Sequence, residues 1–237
     1  MASVYIMRKR NVCSKINHFV ALSNFVKQKL VDVGIDKSKI TVIRNILKED
    51  VSVDFNKISE KKYFVYVGRL SREKGILNLL EVFNDLRNIK LKILGDGPLY
   101  KYIKNVIISK ENKNIELLGF VKGREKYRII NLAYATIIPS ICYEVSPTII
   151  AESFRAGVPV IANNIGSLPE NITEGVNGYI YNNLGELRDI ALNVSSFNQE
   201  QISYIADKCK SSYREIFDTN YNLNLLISLY KSILNRN

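Results

Sequence analysis

The sequence predicts a doubly wound α/β domain built on a parallel sheet, followed by helices at the C-terminus. From about residue 62, apolar runs of strand length alternate with stretches of helical periodicity. The strand-length runs are continuously apolar, which is typical of parallel strands that are covered on both faces. Ligands of such sheets bind beyond the carboxyl ends of the strands. Glycines follow the predicted strands at this edge: Gly68, Gly95, Gly97, Gly119 and Gly166.

The predicted elements follow one another in a regular order. Six strands are expected at YFVYV (63–67), LKIL (91–94), IELL (115–118), TIIP (136–139), VPVIA (158–162) and GYIY (178–181). Helices are expected near 75–87, 98–109, 123–134, 147–156 and 184–194, and two amphipathic helices follow from Asn198. The first fifty residues are predicted to form helix 4–16, strand 18–22, helix 23–33 and strand 39–43.

These elements divide the chain into four parts. Residues 1–50 form a strand–helix–strand piece too short to be a domain, and the charged stretch 51–62 is a linker. Residues 63–215 form the main domain, and 216–237 contain the final helix. With 237 residues, 46% of them hydrophobic, the chain can bury one substantial core. No apolar run approaches the roughly 18 to 20 residues that span a bilayer, and no signal peptide is visible, so we expect a cytoplasmic protein.

The net charge is +11, from 34 Lys and Arg against 23 Asp and Glu. The basic residues are scattered, apart from the cluster Arg8–Arg10, and do not alternate with exposed aromatic residues as in many nucleic-acid-binding proteins. Nucleic acid is therefore not expected as a partner. The charge leaves two other partners open, an anionic membrane surface on the inner side and a polyanionic substrate.

The cysteines and the single histidine do not indicate a site. The chain has an odd number of cysteines, Cys13, Cys142 and Cys209, which are widely spaced and form no CxxC pair. Neither a disulfide framework nor a zinc site is therefore predicted. His18 lies in the apolar run HFVALS with no acidic partner nearby. We interpret it as a strand residue rather than a catalytic base.

One run, PSICYEVSPTIIAESFRAGVPVIA, predicts an anion site beside two carboxylates. Ser146 and Pro147 are expected to be the N-cap and first residue of a short helix that ends at Gly157. Glu144 then lies in the loop before the helix, and Glu152 lies inside it. Because a helix N-terminus attracts anions, the run suits a phosphorylated, hydroxyl-rich ligand such as a nucleotide sugar. The two glutamates could also be surface charges. A glycosidase pair facing each other across a sugar is disfavoured, because Glu152 beside a phosphate-binding helix N-terminus suits a hydroxyl acceptor better than an acid.

Three shorter segments follow predicted strands. GRLSREKG (68–75) places Arg69 and Lys74 between a strand and a helix, where they can bind phosphate oxygens or remain solvated loop charges. It lacks the GxxxxGK[ST] pattern of a P-loop. GDGP (95–98) is interpreted as a tight turn with Pro98 as the first helical residue. GFVKG (119–123) offers backbone groups to the edge of a flat base.

Taken in order, the segments GRL..EKG, GDGP, GFV and PS..YE..P....E...AG.PVIA..IGS.PE.I..G.NGY resemble family 4 glycosyltransferases of the GT-B fold, in their C-terminal, nucleotide-sugar-binding half. The resemblance covers about residues 60–195 with matching order and spacing, including the E-x7-E of the two glutamates. HFVALSNFVKQKLVDVGIDKSKITVIRNIL resembles the last strand–helix–strand and crossover linker of the N-terminal half. The final helix, 219–235, resembles the one that packs back across the domain junction.

The resemblance implies roles for these residues. Arg69 and Lys74 would bind the donor diphosphate and stabilise the leaving group, and Glu144 would hold the transferred sugar. Glu152 would hold the ribose hydroxyls. The donor-binding residues so implied are Gly68, Phe120, Val121, Ser146, Pro147, Thr148 and Glu152. Members of the family retain the anomeric configuration and need no bound metal or other cofactor.

The sequence departs from the family pattern in three places, one of which is Gly166-Ser167 at the position of the paired glycine of the later loop. Many relatives carry EGFG or a similar sequence after the first glutamate, where this chain has Glu144-Val145-Ser146-Pro147, which leaves the identity of the sugar open. The N-terminal half, which carries the acceptor site and a catalytic-region histidine, would be represented by residues 1–50 alone, and His18 does not match that histidine.

Several interpretations of function therefore stand side by side. The first is a retaining glycosyltransferase, or its donor-binding half, that uses a nucleoside-diphosphate sugar. The second is a non-catalytic nucleotide-sugar-binding module. In either case the acceptor site could come from a separate N-terminal-half subunit, as in split N-acetylglucosaminyl transferases, or from a homodimer. The chain could also be a truncated form of a normal enzyme. A sugar-nucleotide epimerase of the GT-B fold is disfavoured by the transferase-like motifs, and a nucleic-acid-binding protein is the most distant alternative.

Overall fold

The computed structural model describes residues 12–47 and 61–235, and these residues form two compact units. Residues 12–47 and 217–235 belong to the first unit, and 61–216 belong to the second. Most of the predicted helix 4–16 and of the linker 51–62 lies outside the described residues. The four predicted domain boundaries stay predictions.

The strands, in chain order, are β1 (Phe19–Ala21), β2 (Ile40–Val42), β3 (Tyr63–Val67), β4 (Leu91–Leu94), β5 (Ile115–Gly119), β6 (Ala133–Ile138), β7 (Val160–Asn163) and β8 (Gly178–Tyr181). The α-helices are α1 (Asn24–Asp32), α2 (Ile76–Asp85), α3 (Tyr100–Ser109), α4 (Gly123–Asn131), α5 (Thr148–Arg155), α6 (Leu184–Ser195), α7 (Gln199–Ile216) and α8 (Thr219–Leu234). Within the described ranges, no helix is both long enough and apolar enough to cross a membrane.

The small unit is a β–α–β piece with the final helix. Strands β1 and β2 pair in parallel, and the Ser23 hydroxyl caps α1 by accepting the Val26 N–H. Helix α8 is tied to the chain after β2, where Asn222 Oδ1 accepts the Arg44 N–H at 3.1 Å. His18 lies one residue before β1, with Nε2 2.8 Å from the Thr41 hydroxyl, so it precedes the strand rather than belonging to it.

The large unit contains a six-stranded parallel sheet in the order β5-β4-β3-β6-β7-β8. The predicted doubly wound α/β fold is confirmed. From β3 the chain adds strands towards one edge, and from β6 it adds strands towards the other. The carboxyl ends of β3 and β6 therefore form the topological switch point, the place where ligands of open α/β sheets bind.

Both faces of this sheet are buried, which explains why its strands are continuously apolar. On β3, Phe64 packs into a cluster with Phe83 and Ile137 on one face. Val65, the next residue, packs into a second cluster with Ile130 on the other face. Each fully buried side chain of this size contributes about 1.5–3 kcal/mol to folding. Helices therefore cover both faces of the strands whose carboxyl ends form the switch point.

Several element boundaries differ from the predictions, and three of the differences concern the loops around the sheet's carboxyl edge or the start of β6. The helix expected over 123–134 ends at Asn131, because Ala133 already pairs with Tyr63 in the sheet, so β6 also begins before residue 136. Pro98 lies in the turn before α3, which begins at Tyr100 rather than at the proline. The cap of α5 is displaced by one residue from the predicted position, since Pro147 is the N-cap with extended backbone and Thr148 begins the helix.

The outer edge of β8 is covered by two carboxylates, one from the segment before the strand and one from the first turn of α6. Glu174 accepts the Ile180 N–H at 3.0 Å, and Glu186 accepts the Asn182 N–H at 2.7 Å. The Gly178 carbonyl accepts the Gly175 N–H. Polar groups that would otherwise face solvent along this edge are thus paired within the chain.

Candidate functional site

The site begins where two loops meet at the switch point. GRLSREKG follows β3 and PSICYEVSP follows β6, and the Ile141 N–H donates to the Glu73 carbonyl at 3.0 Å. The loops approach so closely at Gly75 that a Cβ there would lie 1.7 Å from the Pro139 carbonyl oxygen. Because β3 and β6 are adjacent, motifs about seventy residues apart in sequence form one surface.

Two clefts open at this surface. The first has a volume of about 330 Å³ and contains six of the predicted site residues besides Gly68: Arg69, Lys74, Glu144, Pro147, Thr148 and Glu152. The second, of about 370 Å³, is lined by Phe120, Val121 and Asp96. Val67, Gly68, Arg69 and Lys126 line both clefts. Of the predicted residues, Ser146 lines neither cleft, in keeping with its displacement from the N-cap of α5.

Three contacts hold Glu144 in place, two to its carboxylate and one to its main chain. Lys74 Nζ lies 2.7 Å from its Oε1, and the Ser140 hydroxyl donates to the same oxygen at 2.5 Å. Its main-chain carbonyl accepts the Ser167 N–H at 3.0 Å. Gly166 has φ +61°, and a Cβ there would lie 2.8 Å from the Glu144 nitrogen, so a glycine is required for this approach. The loop around Gly166 therefore sets the position of a carboxylate about twenty residues earlier in the chain.

Glu152 is paired with a residue that the sequence analysis missed. Lys126, in the first turn of α4, places Nζ 2.8 Å from Glu152 Oε2 on α5. Both side chains are mostly buried, with 20% and 16% of their surface exposed. Lys126 lies five residues beyond Val121 in the sequence. Its closeness to this strand-end loop is the only feature of the sequence that indicates a place near the site.

Arg69 differs from the two lysines. Within the described chain, its guanidinium has neither a hydrogen bond nor an ion pair, while its carbonyl accepts the Tyr66 hydroxyl at 2.7 Å. Burial, followed by the nearby Glu144 and Glu73 charges, raises the pKa of Tyr66 well above its usual range, so the phenol stays protonated and keeps this hydrogen bond. Tyr66 thus shapes the loop from which Arg69 reaches into both clefts.

The first cleft therefore combines three cations with two carboxylates, beside the N-terminus of α5. The cations and the helix N-terminus suit an anionic group, and the carboxylates can accept hydrogen bonds from hydroxyls. In the part of the chain that the structure describes, no group of three or more His, Cys, Asp or Glu is placed to hold a metal ion.

We expect Lys74 and Glu144 to stabilise one another measurably. A double-mutant cycle with Lys74→Met and Glu144→Gln should give a coupling of about 1 kcal/mol in urea unfolding, because both groups are partly desolvated. Lys92 and Glu116, a cross-strand pair 3.2 Å apart with a more exposed glutamate, provide the matched control and should give a smaller coupling. A coupling no larger than that of the control pair would mean that the cleft pair is as solvated as a surface pair.

Most of the large unit matches a single protein-family model. Residues 48–208 match the family model described as "Glycosyl transferases group 1". Among relatives, an uncharacterised 41.2 kDa protein from the cps region of Klebsiella pneumoniae is 28% identical, over 97% of this chain and 65% of its own length. The lipopolysaccharide 1,6-galactosyltransferase of Escherichia coli K12 is 26% identical, over 86% of this chain and 59% of its own length.

Among solved structures, Anabaena HepE in complex with UDP is similar in fold, with a TM-score of 0.79 at 19% identity. The similarity covers 91% of this chain and 64% of HepE. The chain thus spans between 59% and 65% of the length of these three proteins.

Proposed function

Because the chain belongs to the group 1 glycosyl transferases, we propose that it is the donor-binding half of a GT-B enzyme that transfers a sugar from a nucleoside-diphosphate sugar. The observation that carries this proposal is the convergence of Arg69, Lys74, Glu144 and Glu152 in one cleft at the switch point. We further propose that the enzyme belongs to family 4 and retains the anomeric configuration, in line with the E-x7-E spacing of the two glutamates.

In this proposal the cations bind the donor diphosphate. The Arg69 guanidinium makes no ion pair in the described chain and can direct its planar donors at two phosphate oxygens. Lys74 adds a point charge and is already held beside Glu144. When the bond between the anomeric carbon and the phosphate oxygen breaks, the electron pair stays on the phosphate. Arg69 and Lys74 then stabilise the growing charge, with the N–H groups at the start of α5 nearby.

The remaining residues bind the uncharged parts of the donor. Glu144 accepts hydroxyls of the transferred sugar, because it lines the first cleft and both of its side-chain partners, Lys74 and Ser140, contact the same oxygen, Oε1. Glu152 accepts the ribose hydroxyls. Phe120, which is 74% exposed, and Val121 flank the base in the second cleft. No metal or other cofactor is assigned to the reaction.

The acceptor site is proposed to lie outside the large unit. Transfer requires an acceptor hydroxyl within about 3–3.5 Å of the anomeric carbon, and in a GT-B enzyme the facing domain holds it. A partner subunit carrying an N-terminal half, or a second copy of this chain, would supply that wall. Two observations support a glycan or glycolipid acceptor at the cytoplasmic membrane surface: the net charge of +11 and a relative named as a lipopolysaccharide galactosyltransferase.

Donor binding is tested by calorimetric titration of the chain with UDP, GDP and ADP in the presence of EDTA. We expect one of the three to bind, with affinity independent of added Mg²⁺, since the diphosphate is held by side chains. Titration with the matching nucleoside, which carries no phosphate, controls for contacts to the base and ribose. If none of the three diphosphates at millimolar concentration gives heat or a thermal shift, the chain is not a donor-binding half.

A non-catalytic nucleotide-sugar-binding module is the second candidate, favoured by the partial coverage of the relatives. Turnover of radiolabelled UDP-, GDP- and ADP-sugars on lipid and glycan acceptors separates the two. The module predicts donor binding without transfer even when a candidate N-terminal-half subunit is added. The transferase half predicts transfer with that subunit and slow donor hydrolysis without it.

A further inference from the structure

Lys126 lies where the two clefts join. It lines the first cleft with Arg69, Lys74 and Glu152, and the second with Phe120 and Val121. A nucleotide whose diphosphate occupies the first cleft and whose base occupies the second must pass its ribose through this junction. Arg69 also lines both clefts, but Lys126 is the one paired with Glu152, the proposed acceptor of the ribose hydroxyls, so it would lie beside the sugar of such a nucleotide.

The lysine is held against one oxygen of Glu152. Its Nζ lies 2.8 Å from Oε2, joining the first turn of α4 to the middle of α5. The same ammonium lies 5.0 Å from the centre of the Tyr127 ring. Because both charged side chains are mostly buried, each depends on the other, and separating them would leave a desolvated charge. The Glu152 carboxylate is thus oriented before any ligand enters.

We propose that Lys126 is a positioning residue that presents Glu152 to the two hydroxyls of ribose, and that it thereby makes the site prefer ribonucleotides to 2′-deoxyribonucleotides. The inference rests on the proposed donor-binding function. A carboxylate offers about four acceptor positions on its two oxygens. Lys126 takes one of them, on Oε2, which leaves Oε1 and the second lone pair of Oε2 for a pair of neighbouring hydroxyls.

Lys126 also balances the charge of Glu152. With Lys126, the first cleft has three cations and two carboxylates, whereas without it the cations and carboxylates are equal in number. An unpaired Glu152 beside a diphosphate would repel the ligand and turn towards solvent or another cation. Loss of Lys126 should therefore affect ribose recognition more than it affects contacts to the base.

The test measures Kd values of UDP, GDP and ADP and of their 2′-deoxy counterparts for the full 237-residue chain. For the nucleotide that binds best, the unchanged chain should bind the ribose form about tenfold or more tightly, because a hydrogen bond to a charged acceptor is lost with the 2′-hydroxyl. In Lys126→Met this preference should fall to about threefold or less. Lys126→Arg, which can still pair with Glu152, should keep most of it.

Lys122→Met is the matched control. Lys122 lines the second cleft and carries the same charge, but in the described chain it has no bond to Glu152, so ribo and deoxy forms should weaken together. If Lys126→Met does not fold, Lys126→Gln serves instead, since it removes the charge but keeps a polar side chain at this position, and the same loss of ribose preference is expected. Thermal unfolding of each variant verifies its fold.

The outcomes separate the inference from the function on which it rests. If no nucleoside diphosphate binds the unchanged chain, the proposed donor-binding function and the role of Lys126 are both overturned. If the chain binds ribo and deoxy forms equally, or if Lys126→Met keeps the full preference, nucleotide binding stands and the role of Lys126 is overturned. A lost preference in Lys126→Met that Lys126→Arg restores supports the proposal, since a general packing defect would weaken both forms alike.

Discussion

We expect the Arg69→Ala chain to bind UDP, or whichever nucleoside diphosphate it prefers, about 10- to 100-fold more weakly than the unchanged chain. Arg69 reaches both clefts and, in the described chain, its guanidinium has neither an ion pair nor a hydrogen bond. Its donors are therefore available to phosphate oxygens, and a charge-assisted contact of this kind contributes roughly 1.5–3 kcal/mol. The matching nucleoside, which lacks the diphosphate, should lose far less affinity.

Arg72→Ala is the control for this experiment. Arg72 is exposed in the same loop, carries the same charge and lines neither cleft, so its loss should leave the Kd of the diphosphate nearly unchanged. Calorimetric titration of both variants with UDP and with uridine measures whether the diphosphate or the base loses its contact. If Arg69→Ala weakened uridine and UDP equally, Arg69 would support the base rather than the diphosphate. If neither ligand changed, it would be an ordinary solvated charge.

The second large effect is expected on stability, from Gly75→Ala. Gly75 has φ +67°, and a methyl group there would lie 1.7 Å from the Pro139 carbonyl oxygen. The left-handed backbone costs about 1–2 kcal/mol for a residue with a Cβ, and forcing the two loops apart adds about 1–3 kcal/mol. We therefore expect urea unfolding of the variant to show a loss of about 2–5 kcal/mol.

Gly175→Ala separates the two causes. Gly175 has almost the same backbone angle, φ +70°, but a methyl group on it would meet no atom within 4 Å in the described chain apart from its immediate chain neighbours. Its substitution should cost only the backbone part, about 1–2 kcal/mol. Equal losses at both positions would show that the loops can separate without cost, and the close approach of GRLSREKG to the end of β6 would then not be needed for folding.

Much of the fold could be predicted from the sequence, because its signals are local. Continuous apolar strands such as YFVYV reveal burial on both faces, and Gly157 does end its helix as expected, with φ +66°. The cleft residues were predicted as separate segments following strands. Arg69 and Glu144 share a cleft because β3 pairs with β6. This long-range pairing cannot be deduced from the spacing of the motifs in the sequence.

The parts that could not be predicted depend on side chains meeting across elements. Lys126 resembles any solvated lysine on a polar helix until α4 packs beside α5 and brings it to Glu152. Ser140 becomes a partner of Glu144 only when the loop turns back on itself. The displaced start of α5 has another cause: Pro147 has the extended backbone of an N-cap, so the favourable Ser-Pro pattern lies one residue too early.

The carboxylates along the outer edge of β8 have a consequence for how the protein behaves at high concentration. An uncovered edge strand offers a row of free N–H and C=O groups that can template a strand from another molecule and begin aggregation. Here Glu174 and Glu186 occupy N–H groups of that row and add negative charge to it. A second molecule would have to displace both carboxylates before its own strand could pair with β8. This edge is therefore protected against intermolecular sheet formation and the aggregation that follows from it.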